Sequence, residues 1–506
     1  MGVIEKINDL YSNSLREQFY KADYQMFKIL LSDYDLQDKI KIRLKSKGRL
    51  YSLKQPLKPY FITLKQRQEF SKITEVLLNV IEKLTNAYFS NVEVRAALSL
   101  NGRVGDYIGV NPGYSRKQLI VRLDALLNFS NNPLQFLEVN CDDPSGMGMN
   151  DLLIKIFDCL PSMEFIRNEF EMNRDILIES LYKLLLKIYK EYCLNFGKQV
   201  QKDPFIAVVC SHNSSIRNDV DFIVHFLKEK GLHVNYADPR DFVYDGKVLK
   251  LNGEEVHIVY RDNIKDFFRS ESTGKIHSNL RNKVLNYTKT ACLHNRFLNH
   301  YLKKGYFGHA EDIIQAYADN NICIINPFSS RICAQKSTFA LIQDDRFKSL
   351  FNEEELSVIN KYIPWTRLFG SYKTYYDYKQ IDLVPFIKMH RQKFVLKPNS
   401  GFGGKGVLIG SETSQAQWEK RINLIIAAGL KYVVQEYVNI PTEDFPVYSN
   451  GILEGFSPQF VNINFWGIDG KFAGASVRAS HKKVINVAQG ARDVPLYYVT
   501  DKNSNN

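Results

Sequence analysis

The sequence contains no hydrophobic run long enough to cross a membrane, no internal repeat and no low-complexity segment. A membrane-spanning helix needs roughly 20 consecutive apolar residues, and no stretch of this chain approaches that length. The first residues, Met1 to Lys6, lack the basic start and the apolar stretch of a signal peptide. These absences predict a cytoplasmic protein that does not bind a membrane.

Cysteine is also scarce, and its spacing excludes the common zinc motifs. The seven cysteines form no CxxC pair and no Cys/His metal-binding pattern. Dispersed cysteines within apolar runs are typical of buried free thiols in a reducing compartment. We therefore expect free thiols rather than a disulfide framework.

Positive charge is present but is not segregated. The chain has 506 residues, of which 44% are hydrophobic and 24% are charged. This length and composition predict a globular protein of about two to four packed units. The formal net charge of +12 comes mostly from lysines scattered along the whole length. A nucleic-acid-binding protein usually concentrates such charge in a stripe or tail, so we expect no nucleic-acid partner; steeply salt-dependent binding to DNA or RNA would revise this.

Apolar patterning divides the chain into four regions. Residues 1–90 are predicted to be mainly helical, with one amphipathic helix over 66–84. Residues 91–200 are predicted to contain helices over 151–200, preceded by strands at 92–100, 118–124 and 134–140. Residues 301–506 are predicted to be helical over 305–370 and to continue from about 384 with short strands and many glycines.

The remaining region, 201–300, is predicted to form a separate βαβ unit. Pro204–Cys210 is a continuous apolar strand, as in a parallel sheet that is buried on both faces. A helix over Asp219–Lys230 ends at Gly231, and the next strand starts at Leu232. A last strand covers 256–261.

The sharpest local motif is the segment Phe394–Gly410. Its glycines satisfy GxGxxG, the fingerprint of dinucleotide-binding folds, which requires a helix after the glycines. The β-prone run that starts at Val407 follows instead, so we predict a strand–loop–strand flap. Such a flap offers backbone N–H groups to phosphate oxygens, and Lys397 on the incoming strand adds a positive charge. An ordinary glycine-rich hairpin remains the alternative.

Two further motifs involve strands. Glu138 and Asn140 are two residues apart on a predicted strand, so their side chains leave the same face of the sheet. Carboxylate and amide oxygens suit Mg²⁺, and Asp124 stands at the same spacing from Arg122 on the preceding strand. A salt-bridged solvent face is the alternative for either pair. The segment Tyr432–Val438 has the form of a short strand that offers backbone groups to an adenine edge.

The order of these segments resembles the circularly permuted ATP-grasp ligases, the family that includes eukaryotic glutathione synthetase and glutathionylspermidine synthase. In that family an Arg-x-Asp strand and a Glu-x-Asn strand precede an α/β substrate unit. A helical lysine, Lys-Pro with a glycine flap, an adenine hinge and a late arginine strand with a glycine loop then follow. This sequence supplies the series in order: Arg122/Asp124, Glu138/Asn140, the unit at 204–300, Lys336, Lys397-Pro398, the glycines of 401–406, Gln435–Val438, Val477-Arg478 and Asn486–Ala491. The resemblance covers about residue 90 to the end.

The resemblance implies an α/β (α+β) fold, a circularly permuted ATP-grasp with an inserted βαβ substrate-binding domain at 201–300. The mainly helical region 1–90 would precede the first part of the ATP-grasp core, 91–200, which carries the metal-binding strands. Residues 301–506 would form the nucleotide-binding part, with the flap at about 390–440. The implied activity is that of an ATP- and Mg²⁺-dependent ligase that joins a small-molecule carboxylate to an amine through an acyl phosphate. Members of the family are often dimers, which implies a homodimer.

The resemblance also assigns roles to individual residues. Mg²⁺ would bind Glu138 and Asn140, with Asp124 close behind. Substrate carboxylates would be held by Arg122, Arg261 and Arg478, although a surface ion pair is the simpler expectation for Arg261. The residues expected to contact the nucleotide are Lys336, Lys397, Gly401, Gly403, Gly404, Lys405 and the backbone of Gln435, Glu436, Tyr437 and Val438.

One departure from the family is the missing acid of the flap. Glutathione synthetase places an acidic metal ligand after its Lys-Pro, whereas the corresponding stretch here is Asn399-Ser400-Gly401. Either Asp124 enters the metal shell directly, or coordination depends more on phosphate and water. A nucleotide-binding protein without ligase activity therefore stays open as an alternative. A small-molecule kinase is a second alternative, because stopping after phosphoryl transfer uses the same site.

Overall fold

The computed structural model describes residues 2–11, 19–33, 56–98, 100, 104–128, 134–212, 214, 216–261, 310–401, 403–449 and 452–502. The chain divides into two compact units. The first unit consists of residues 1–99, 118–181 and 330–506, and the second of residues 100–117 and 182–329. The fold is mixed α/β.

The α-helices are α1 (Val3–Asp9), α2 (Tyr20–Asp33), α3 (Leu64–Ser90), α4 (Val92–Leu98), α5 (Val104–Tyr107), α6 (Met147–Phe157), α7 (Pro161–Glu169), α8 (Leu177–Asn195), α9 (Arg217–Glu229), α10 (Glu311–Ala318), α11 (Ser337–Ile342), α12 (Glu353–Tyr362), α13 (Leu383–Met389) and α14 (Gln415–Ala427).

The strands are β1 (Tyr60–Thr63), β2 (Ile120–Leu127), β3 (Leu134–Asn140), β4 (Phe170–Asn173), β5 (Ile206–Val209), β6 (Val234–Ala237), β7 (Phe242–Tyr244), β8 (Leu249–Leu251), β9 (Glu254–Glu255), β10 (Ile258–Arg261), β11 (Cys323–Ile325), β12 (Thr366–Leu368), β13 (Lys373–Tyr376), β14 (Lys379–Asp382), β15 (Phe394–Pro398), β16 (Leu408–Ile409), β17 (Tyr432–Glu436), β18 (Thr442–Ser449), β19 (Ile452–Ile468), β20 (Lys471–Ser480), β21 (Arg492–Val494) and β22 (Leu496–Asp501).

The second unit is built on a parallel sheet. Its strand order is β11-β10-β5-β6, and every neighbouring pair is parallel. Every residue of β5 is buried, as its continuous apolar sequence predicts for a strand covered on both faces. Helix α9 follows β5, and Gly231 takes φ +80° just beyond the helix end. The predicted strand–helix–strand order at 204–236 is therefore confirmed.

The first unit contains a large antiparallel sheet of order β21-β20-β19-β2-β3, with β18 paired to β19. The long helix α3 packs on this sheet, and a Cβ built on Gly467 would lie 2.4 Å from the Leu78 side chain. Glycine therefore allows α3 to approach β19 closely. The ring centroids of Phe70 and Phe465 are 5.4 Å apart in the same layer. This packing leaves the face that α3 does not cover for polar side chains.

A smaller antiparallel sheet of the first unit carries the glycine flap. Its strand order is β12-β17-β15-β16, and helices α13 and α14 supply Leu383 and Trp418 to its core. Because β15 pairs antiparallel with β16, the glycines between them form a strand–loop–strand connection. The GxGxxG segment is thus a flap and does not lead into a helix.

The strand predicted for 92–100 is wrong, because this segment forms helix α4. Asn91 caps the helix: its Oδ1 accepts from the backbone N–H groups of Glu93 and Val94. Val94 and Leu98 are both buried, and their spacing of four places them on one helical face. The local cap and this spacing outweigh the strand preference of the valines.

Other sequence predictions are confirmed in outline. The helix over 66–84 lies within α3, and the strands at 118–124 and 134–140 correspond to β2 and β3. The prediction that 305–370 is helical is only partly correct, because 310–370 contains strands β11 and β12 besides its helices, and 305–309 lies outside the described residues. Within the described chain, no helix combines the length and apolarity that a membrane crossing requires.

Among the described residues, the six cysteines form no disulfide with one another. Burial is confirmed for five of them, whereas Cys159 is exposed near the end of α6. Cys292 lies outside the described residues.

Candidate active site

One face of the large sheet carries a row of polar side chains. Residues directly opposite each other on neighbouring strands point to the same face. Asp124 of β2 lies opposite Glu138 of β3 and Asn464 of β19. On the next rung, Arg122 lies opposite Asn140 and Trp466. The four residues that sequence spacing selects in β2 and β3 therefore share one surface.

Two lysines from other elements reach this acidic row. Lys336 immediately precedes α11, and its Nζ lies 3.3 Å from Oε1 of Glu138. The same Nζ donates to the Gly401 carbonyl at 3.2 Å, at the base of the flap. Lys397 of β15 donates to the Leu137 carbonyl at 3.3 Å. Residues separated by about 200 to 260 positions of sequence thus meet around Glu138.

The ammonium group of Lys397 is electrostatically perturbed. Burial lowers its pKa to about 8, and the neighbouring Lys336 pushes in the same direction. Glu138 and Asp124 oppose this shift because they favour the charged form. Two cations placed side by side repel each other, so their site gains stability from an anion that pairs with both. A polyphosphate is such an anion.

Gln435 secures Lys397 through its side chain. Its Oε1 accepts from Lys397 Nζ at 2.6 Å, and its Nε2 donates to Thr366 Oγ1 at 3.0 Å. Gln435 is 2% exposed. The sequence selects Gln435 for its backbone, whereas the structure also gives its side chain the task of positioning a lysine.

The predicted adenine hinge is partly occupied by the protein itself. The Glu436 N–H donates to the Trp365 carbonyl at 2.8 Å, and the Tyr437 N–H donates to the Lys393 carbonyl at 2.7 Å. These two amides are therefore not available to a base.

Three positions of the flap require glycine. Gly403, Gly404 and Gly406 have φ values of +70°, +69° and +78°, a region that side chains disfavour. A Cβ on Gly404 would also lie 2.3 Å from Val484 Cγ1. The Gly403 carbonyl accepts from Gln489 Nε2 at 2.6 Å. The flap is therefore packed against the 484–489 loop, with Lys405 exposed at its tip.

The Arg122 side chain forms hydrogen bonds to its own strand and to the loop before α6. It donates through Nε and Nη2 to the two carboxylate oxygens of Asp124, at 2.7 and 3.1 Å. Its Nη1 donates to the Ser145 carbonyl at 2.8 Å. All three nitrogens of the guanidinium therefore hold protein groups. In this arrangement Arg122 positions Asp124 and leaves little capacity to grip a substrate carboxylate.

Arg478 of β20 is disposed differently. Its Nε donates to Asp493 Oδ1 at 3.1 Å, which fixes one edge of the guanidinium. A Cβ on Gly146 would lie 3.3 Å from Arg478 Nη2, and Gly146 has φ +117°. Glycine therefore allows the guanidinium to approach the start of α6. An arginine beside a helix N-terminus favours an anion.

Arg261 belongs to the second unit and is 1% exposed, so the expectation of a surface position is wrong. Its Nε donates to the Asn326 carbonyl at 2.7 Å, and its Nη2 donates to the Pro327 carbonyl at 3.1 Å. Its guanidinium carbon lies 5.3 Å from the centre of the Phe328 ring. These contacts tie the end of β10 to the segment after β11. A role in holding substrate stays a prediction.

The oxygen atoms around Glu138 fit Mg²⁺ only if the protein supplies few of the metal's ligands. Within the described residues, no group of three or more His, Cys, Asp or Glu side chains is arranged to hold a metal. Both oxygens of Asp124 already accept from Arg122, which leaves Glu138 and Asn140 as the main oxygen donors. Mg²⁺ often binds one or two carboxylates and takes its other ligands from phosphates and water. The Asn140 Nδ2 is buried and has no hydrogen-bond partner within the described chain. Because an amide nitrogen is a donor only, Asn140 would bind a metal through its Oδ1.

Several polar residues of this face are not evident from sequence motifs. Asn462 donates to Asn464 Oδ1 at 2.9 Å on the central strand, and both are buried. Gln335 and Asn399 are buried beside Lys336. The only sequence signal for the last pair is that Asn399 directly follows Lys397-Pro398 and that Gln335 directly precedes Lys336.

Comparison with protein-family models gives no match, and comparison with curated proteins gives none. Among solved structures, the fold is similar to that of a glutathione synthetase-like effector from Globodera pallida in its apo form. The TM-score is 0.52 at 12% sequence identity, over 88% of this chain and 90% of that chain. A candidate gamma-glutamylcysteine synthetase from Methylobacillus flagellatus aligns over 81% of this chain and 83% of its own, at 11% identity and a TM-score of 0.34. The first likeness shows a shared fold, and the second is too weak to support a conclusion.

Proposed function

We propose that this chain is an ATP- and Mg²⁺-dependent ligase, of the circularly permuted ATP-grasp type, that joins a small-molecule carboxylate to an amine and releases ADP. The observation that carries the proposal is the convergence of Lys336 and Lys397 beside Glu138, at the base of the glycine flap. The likeness to the glutathione synthetase-like effector supports the fold on which the proposal depends.

In the first step, a substrate carboxylate oxygen attacks the γ-phosphorus of ATP. The bond from the γ-phosphorus to its bridging oxygen breaks, ADP departs, and an acyl phosphate forms. Lys336 and Lys397 neutralise charge on the phosphoryl oxygens, and the N–H groups of the flap donate to them. Mg²⁺, held by Glu138 and Asn140, would neutralise further phosphate charge.

In the second step, an amine attacks the acyl carbon. The carbon–nitrogen bond forms, the bond from the acyl carbon to the phosphate oxygen breaks, phosphate departs, and the amine loses one proton. Arg478 is the arginine that we assign to a substrate carboxylate, because its Nη2 faces Gly146 at the start of α6. Arg122 acts through Asp124, and the flap excludes water from the acyl phosphate.

The test is ADP release from Mg²⁺ and ATP, screened over pools of amino acids, small peptides and polyamines. A ligase releases ADP and phosphate only when both an acid and an amine are present. Release of AMP and pyrophosphate would contradict acyl phosphate chemistry.

The same screen separates the alternatives. A small-molecule kinase would release ADP with one substrate alone and yield a stable phosphorylated product. A nucleotide-binding protein without activity would bind Mg²⁺ and ATP but release no ADP in any pool. Either result would replace the ligase proposal.

A further inference from the structure

Asn399 forms hydrogen bonds with Lys336 and with both of its neighbours in the sequence. Its backbone carbonyl accepts from the Lys336 N–H at 3.1 Å. Its Oδ1 accepts from the Ser337 N–H at 2.8 Å, and its Nδ2 donates to Gln335 Oε1 at 2.7 Å. One residue therefore binds the lysine, the residue before it and the residue after it.

This set of contacts is buried and anchored at both ends. Gln335 donates through Nε2 to the Leu98 carbonyl of α4 at 2.8 Å. The backbone N–H of Asn399 donates to the Lys431 carbonyl at 2.9 Å. Asn399 is 5% exposed and Gln335 is 4% exposed, so water competes little for these bonds.

These contacts matter because the two lysines of the site repel each other. Lys336 and Lys397 come from different elements, and the positive charge of Lys336 lowers the pKa of Lys397. Glu138 offsets part of this repulsion, since its Oε1 lies 3.3 Å from Lys336 Nζ, and the segments of the two lysines must be held against the remainder. Asn399 lies two residues after Lys397 on the same strand end, so it ties the segment of one lysine to that of the other.

We propose that Asn399, together with Gln335, is a positioning residue that holds Lys336 in place for a phosphate group, and that it is not a metal ligand. This inference rests on the proposed function. An aspartate at position 399 could accept from the Ser337 N–H but could not donate to Gln335 Oε1. The two facing oxygens would repel each other, and the lysine segment would lose its tether.

The test is a double-mutant cycle on the full chain, read by calorimetric binding of the ATP analogue AMP-PNP with Mg²⁺ and of AMP. Asn399→Ala should weaken AMP-PNP binding by about 10- to 100-fold, which is the effect expected when the contact between Lys336 Nζ and a phosphate oxygen is lost. It should leave AMP binding nearly unchanged. In a Lys336→Met background the same substitution should cost little, because its effect passes through Lys336. Gln335→Met should reproduce the loss, and it carries the test if Asn399→Ala does not fold.

Ser337→Ala is the matched control. The Ser337 side chain makes no hydrogen bond within the described residues, and only its backbone N–H contacts Asn399, so binding should not change. Equal losses for AMP-PNP and AMP, or additive effects of Asn399→Ala and Lys336→Met, would overturn the inference while leaving the proposed function intact. Failure of the wild-type chain to bind AMP-PNP would overturn both.

Discussion

Gly404 offers a sharp test of whether the flap and the 484–489 loop act together on a nucleotide. Replacing it by alanine has two consequences. The residue has φ +69°, so a side chain is strained there, and the new Cβ would lie 2.3 Å from Val484 Cγ1 and 2.9 Å from Gln489 Nε2. Ordinary contact begins at about 3.4 Å, so the flap or the loop must move by about 1 Å.

The two consequences differ in magnitude and in what they affect. The left-handed conformation costs about 1–2 kcal/mol of folding free energy for any residue with a Cβ. The displacement would break the bond from Gln489 Nε2 to the Gly403 carbonyl, which contributes about 1 kcal/mol. Because a flap can swing outward, most of the displacement should appear as weaker nucleotide binding, by about 10-fold, and not as further unfolding.

Two control variants separate the terms. Gly429→Ala has the same strain at φ +59° but meets nothing within 4 Å, so it should lose stability and bind AMP-PNP normally. Gly403→Ala has φ +70° on the same flap, with its nearest atom, Asn486 Oδ1, at 3.8 Å. Urea unfolding and calorimetric binding of AMP-PNP measure both quantities. Equal AMP-PNP affinity for Gly404→Ala and Gly429→Ala, or an equal loss of affinity for Gly403→Ala, would refute a joint effect of the flap and the 484–489 loop on nucleotide binding.

Three further predictions follow from the site and the core. Glu138→Gln should reduce ADP release by at least about 100-fold, because it removes the central carboxylate of the site. Its melting temperature should stay near that of the wild type. Unchanged turnover would show that Glu138 takes no part in the reaction. AMP-PNP affinity should fall above about pH 8, where Lys397 loses its proton, and Lys397→Arg should move this fall to higher pH; superimposable profiles of wild type and variant would assign the fall to another group. Asp23 is fully buried, and burial raises the pKa of its carboxyl to about 6, so the charged form destabilises the fold as the pH rises from about 4 to 6. Moving that pKa from 3.8 to about 6 corresponds to about 3 kcal/mol, so urea unfolding of Asp23→Asn should gain up to this amount over wild type between pH 4 and 7; a constant difference would contradict it.

The sequence was most informative where spacing determines which face a side chain occupies. Glu138 and Asn140 are two apart on β3, and the strand places them on one face as expected. The β-prone residues after Gly406 excluded a helix, and the antiparallel pair β15–β16 confirms this. In both cases a short local pattern limits the backbone to one geometry.

Sequence reasoning failed where distant contacts or local caps decide the outcome. The valines at the start of 92–100 favour a strand, but the Asn91 cap and the burial of Leu98 select a helix. The hydrogen bonds from Arg122 to Asp124 depend on the rotamers of both side chains, which the sequence spacing does not specify. The bond between Gln335 and Asn399 joins residues 64 positions apart, and no sequence motif links the two. Such contacts appear only when the sheets are assembled.

A crystal structure of the chain with AMP-PNP and Mg²⁺ tests the account most directly. We predict that the triphosphate lies between the Nζ atoms of Lys336 and Lys397, beneath the glycine flap, with the metal beside Glu138. A nucleotide bound elsewhere, or a triphosphate that contacts neither lysine, would contradict the account.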